Sequence, residues 1–94
     1  MSSVEDLALP LVKASLGYKS SVRDELLQAI IKSIVDELTI QKRIALNPSN
    51  SEHLMFVVDY AVFRYVNQGG SIMPRNLEYR LRNLIVKYGG EASE

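Results

Sequence analysis

Apolar residues recur along this chain at steps of three and four, the spacing of helices, and fall into four blocks. The first block lies between Ser3 and Leu16. Ser2 with Glu5, or Ser3 with Asp6, has the spacing of a capping box. Pro10 fits only a first turn, so this helix is either kinked at Pro10 or begins just before it. Gly17 ends it, Tyr18 to Ser21 form a connection, and Ser21 with Asp24 reads as the next N-cap. The second helix runs from about Val22 to Gln41. Leu26, Leu27, Ile30, Ile31, Ile34, Val35 and Leu38 give it one broad apolar face, and Glu25, Lys32 and Asp36 lie on the other side. Residues Ile40 to Leu46 suit a helical extension or a short extended arm. Asn47-Pro48-Ser49-Asn50 then reads as a turn ending in an N-cap.

The third helix, about Ser51 to Asn67, is apolar nearly all round. Leu54, Val58, Ala61 and Tyr65 make one stripe; Phe56, Tyr60 and Phe63 a second; Met55, Val62 and Val66 a third. Such a helix is central in a bundle, and one stripe is expected to be left for a neighbouring subunit. Gln68-Gly69-Gly70-Ser71 breaks it, and Pro74 precedes a fourth helix from about Asn76 to Tyr88. That helix carries two non-polar stripes. Leu77, Leu81, Leu84, Ile85 and Tyr88 form the face that a core needs. Arg75, Tyr79, Arg82 and Val86 fall nearly opposite, a mixture suited to a protein interface.

The pattern therefore predicts an all-α fold: one compact four-helix domain over residues 1–94, with a central apolar third helix. Its ordered core is expected to span about residues 4–88, with a mobile tail at 89–94. At 94 residues the core is adequate and no more, so association would stabilise it. Eleven basic residues balance eleven acidic ones, which offers no general attraction to nucleic acid and little resistance to self-association. The absence of cysteine excludes disulfides, thiolate metal sites and a cysteine nucleophile. The start, MSSVEDLALP, is acidic where a signal peptide is basic, and the longest apolar run is Leu54–Val58, so neither a leader nor a membrane partner is expected.

Candidate chemistry is sparse. His53 is the one histidine, too few for a zinc site, and is expected at an exposed or rim position. No serine lies in a nucleophile elbow, and Gly69-Gly70 lacks the Lys-Ser/Thr of a phosphate loop. No enzyme, metal or cofactor is expected. Asp24, Glu25, Asp36 and Glu37 look solvated, and Lys32 can pair with Asp36. Asp59 sits among apolar neighbours and needs a partner, which Arg64, Arg80 or Arg82 could supply; a structural ion pair is the expectation. From Arg64 to Lys87 five basic residues face a single acid, Glu78. A solvated face, with Arg82 held by Glu78, and a protein interface explain this equally. A nucleic-acid patch, with the fourth helix as the recognition helix of a small DNA-binding module, comes behind them. That helix has Leu and Tyr where base-reading side chains belong, although Asn76 and Asn83 are present.

The blocks DLALPLVKASLG, RDELLQAIIKSIVDEL, HLMFVVDYAVFRYVNQGG and MPRNLEYRLRNLIVKYGG, in this order, resemble the head–tail connector (adaptor) proteins of tailed bacteriophages and prophages. The likeness runs from about Val4 to Gly90 and rests on the helix pattern and on the DYAVFRY and MPRNLEYRLRNL phrases. It implies an α-helical protomer that forms a ring, alone or only on assembly. The ring docks under the portal protein, extends the DNA channel and presents a surface to head-closure or tail proteins. It further implies a place at the head–tail junction of the virion, and in the host cytoplasm before assembly. DNA would pass without sequence-specific binding. The family's C-terminal segment contacts the portal; here the corresponding stretch, Gly89–Glu94, is short. On this reading Arg75, Tyr79, Arg82 and Val86, with Phe56 and Tyr60 as outward aromatics of the third helix, join subunits or the portal.

Overall fold

A computed structural model describes residues 3–67 and 72–88. These form four helices: α1 (Val4–Leu16), α2 (Asp24–Asp36), α3 (Ser51–Val66) and α4 (Arg75–Tyr88), with a π-helical turn, Glu37–Gln41, continuing α2. The loop 68–71 and the tail 89–94, where a helix break and a mobile end are expected, lie outside the described residues, as does Ser2.

Each helix starts and stops for local reasons. At α1 the capping box forms with Ser3: its Oγ accepts the Asp6 N–H at 3.1 Å, and the Asp6 carboxylate accepts the Ser3 N–H at 3.4 Å. The helix then runs through Pro10 rather than starting beside it. Pro10 and Asp6, whose carbonyl loses its helical donor, are both exposed, so water can take that acceptor. Gly17 closes α1 at φ 78°, and the Tyr18 N–H returns to the Lys13 carbonyl at 2.9 Å.

The expected cap at Ser21 does not form. Its carbonyl takes the Asp24 N–H at 3.1 Å, and Arg23 occupies the N-cap position without a side-chain bond to the first turn. α2 therefore begins at Asp24, two residues later than the apolar pattern predicts. Its far end is neither plain helix nor arm. The Thr39 hydroxyl donates back to the Val35 carbonyl at 2.8 Å as the chain widens into the π-helical turn. Arg43 then adopts φ 58°, a conformation that costs a non-glycine residue roughly 1–2 kcal/mol. In return the Ile44 N–H reaches the Leu38 carbonyl at 2.9 Å, and the Ile44 side chain is fully buried. Only after Ile44 does the chain extend. Asn50 caps α3 as expected, its Oδ1 accepting the N–H groups of Glu52 and His53.

The core sits between α1, α2 and α3, which pack on one another; among the described residues α4 packs on α3 and on neither of the other helices. Val4, Ala8 and Val12 of α1 and Leu27, Ile31, Ile34 and Leu38 of α2 and its extension are buried against α3. Leu26, at the edge of the expected apolar face, stays exposed. α3 thus touches every other helix, which is the physical reason for its apolar character on several sides.

Candidate protein interface

α4 lies antiparallel on α3. Near the start of α3 the Lys87 ammonium meets the Glu52 carboxylate at 3.3 Å, and one half-length further on the Arg80 guanidinium meets Asp59 at 2.8 Å. Leu77 and Leu84 are buried in this seam, and Leu81 and Ile85 are half-buried beside them. The Arg80 guanidinium also stands over the Phe56 ring, 5.6 Å from its centre. One face of α4 is fully used by α3. Among the described residues nothing covers the other: Tyr79 is 64% exposed, Val86 78%, and Arg75 and Arg82 are exposed as well. Arg75, Glu78, Tyr79 and Arg82 line a shallow depression on this face. Arg82 does not pair with Glu78 among the described residues, so both arginines point their charge at solvent.

Phe56 and Tyr60 do not belong to this surface. Phe56 is fully buried and Tyr60 is 7% exposed, because α4 lies over the stripe that carries Phe56. The α3 stripe left outside is the third one, with Met55 at 41% and Val66 at 64% exposure. A helix apolar on three sides cannot tell from its own sequence which side a neighbour will cover.

The three ion-pair candidates separate. Arg80 takes Asp59, which is half-exposed rather than buried, so this pair contributes little beyond orienting α4. Arg64 instead reaches the end of α2. It donates to Glu37 at 3.1 Å, to the Ser33 hydroxyl at 3.0 Å and to the Tyr60 hydroxyl at 2.6 Å, with its plane 4.6 Å from the Tyr60 ring centre. Burial works against the Arg64 charge, but the bonds to Glu37 and Tyr60 outweigh it and hold its pKa above the usual arginine value. This cluster ties the π-helical turn to α3. A second tie was not legible in the sequence. Arg23 donates to the Tyr65 hydroxyl at 2.7 Å, Tyr65 shares a hydrogen bond with Tyr18 at 3.2 Å, and Arg23 stands over the Tyr18 ring. The bond to Tyr65, with burial, raises the Tyr18 pKa. No local spacing signals contacts across more than forty residues.

His53 is the clearest departure. It is 1% exposed, not at a rim, and its Nδ1 accepts the Asn47 N–H at 2.9 Å. Burial lowers its pKa, opposed only in part by Glu52. The folded protein thus takes up this proton less readily than the unfolded chain. The stability is intact above the unfolded value, about 6.5, and is lost as pH falls through the folded value. Urea unfolding should show lower stability at pH 5.5 than at 7.5, and His53→Asn, which keeps an acceptor in place, should flatten the difference.

Among the described residues no group of histidines and carboxylates is placed to hold a metal ion, and no helix is long and apolar enough to cross a membrane. No protein-family model, curated protein or solved structure matches the chain.

Proposed function

We propose that this protein is a structural subunit of a phage or prophage head–tail connector ring, docking under a portal and lengthening its DNA channel. The observation that carries this reading is the uncovered face of α4. A helix whose apolar side is already spent on α3 still presents Tyr79 and Val86 between Arg75 and Arg82. Aromatic and arginine side chains are the ones that anchor protein interfaces. The likeness of the four sequence blocks to connector proteins points the same way. A net charge of zero also suits a channel that must let DNA slide.

DNA recognition by α4 is less well supported. Asn83 is half-buried, which leaves Asn76 as the exposed amide on this helix. The test is co-purification with a cognate portal protein, alongside a gel shift with duplex DNA. Association with the portal and no shift at low salt are expected. Failure to bind the portal, or a shift that weakens steeply with salt, would overturn the connector reading.

A further inference from the structure

The basic stripe on α4 has a counterpart on α1 and α2. α1 and α2 are antiparallel, in a register set by the Lys13–Asp24 ion pair at 2.8 Å. On their outer side they enclose a cleft of about 400 Å³ lined by Glu5, Asp6, Glu25, Ala29, Ile31 and Lys32, among others. The cleft is net acidic, and its lysine is already engaged by Asp36 at 3.4 Å. Among the described residues, Asp24, Asp36, Glu37, Glu52 and Asp59 each pair with a lysine or arginine. Glu5, Asp6, Glu25 and Glu78 do not; the first three line this one cleft, and Glu78 lies in the α4 depression. Arg75 and Arg82 likewise make no ion pair among the described residues.

The spacings match. Arg75, Tyr79 and Arg82 stand at steps of four and three residues on α4, and Glu25, Ala29 and Lys32 repeat those steps on α2. The α1–α2 register places Glu5 and Asp6 beside the Lys32 end, so carboxylates flank Ala29 on both sides. Each arrangement spans about 10 Å along its helix. The small Ala29 side chain, exposed between the carboxylates, leaves room for one aromatic ring. Among the described residues α4 touches neither α1 nor α2, so stripe and cleft do not meet within one chain.

We infer that the α4 stripe of one copy docks in the α1–α2 cleft of the next. Tyr79 seats over Ala29, and the two arginines meet Glu25 and the Glu5–Asp6 pair. This inference rests on reading the stripe as a subunit contact and names the surface that receives it. A contact between two different surfaces repeats around a ring, whereas stripe against stripe would stop at a dimer and set arginine against arginine.

The absence of cysteine makes trapping clean. Tyr79→Cys and Ala29→Cys chains, one carrying a tag, are mixed under mild oxidation. The mixed disulfide should form more than about tenfold faster than either homodimer, and rising salt should slow it. Arg75→Glu with Arg82→Glu in the first chain should abolish it. Adding Glu5→Lys with Glu25→Lys to the second should restore it, which also shows that both variants fold. Equal rates for all pairings, a dominant Tyr79→Cys homodimer, or no restoration would overturn the inference. Portal binding by the unaltered protein is measured separately. Binding without the mixed disulfide sinks only this docking mode; the mixed disulfide without portal binding sinks only the connector reading.

Discussion

Phe56→Ala should lower the unfolding free energy by about 3–5 kcal/mol, enough to leave much of the protein unfolded at 37 °C. Phe56 has no exposed surface, packs at a tilt against Tyr60 with ring centres 5.7 Å apart, and has the Arg80 guanidinium over its ring. Truncation removes the apolar contacts and leaves a cavity at the seam where α4 docks. Because α4 packs on α3 alone, it has no second neighbour to hold it in place. Urea denaturation followed by far-ultraviolet circular dichroism checks this, with Tyr79→Ala as the comparison. A Tyr79→Ala chain should unfold within about 0.5 kcal/mol of the parent, since its ring is largely in water. Equal losses for the two variants would show that the helix phase described here is wrong.

If the connector proposal holds, Tyr79→Ala combined with Arg82→Ala should leave the monomer folded and weaken assembly with the portal by about 2–4 kcal/mol, a change of roughly thirty- to a thousandfold. Removing Arg82 costs the fold no ion pair among the described residues, and removing Tyr79 opens no cavity. The effect is therefore confined to whatever covers this face. Pull-down with the portal protein, read beside a thermal melt of each variant, separates the two contributions. Retained portal association would move the contact elsewhere, to the exposed Met55–Val66 stripe of α3 first.

The α4 stripe was legible in the sequence because one helix face is a local property. Leu77 and Leu84 mark the buried side, and a rotation of about half a turn locates Tyr79 and Arg82. The Asn50 cap and the Gly17 stop were legible for the same reason, since each acts within a few residues. The fate of Phe56 and Tyr60 was not. Both sit on a helix that is apolar on three sides, and either of two stripes could have faced water. His53 misled for a related reason: a histidine in a first turn beside Glu52 has a surface appearance until the arm after Ile44 folds back over it and offers the Asn47 N–H.

By itself, then, the sequence determined four helices, most of their boundaries, the apolar side of α2 and α4, and the neutral, cysteine-free chemistry of the chain. Those features follow from backbone geometry and side-chain periodicity over a turn or two. The tertiary structure decided which α3 stripe α4 covers, that Arg64 clamps the end of α2 while Arg80 takes Asp59, and that the unpaired acids of α1 and α2 share one cleft. Each of these depends on contacts between residues far apart in the chain. Their energies compete across alternative packings, and no local pattern records which packing wins.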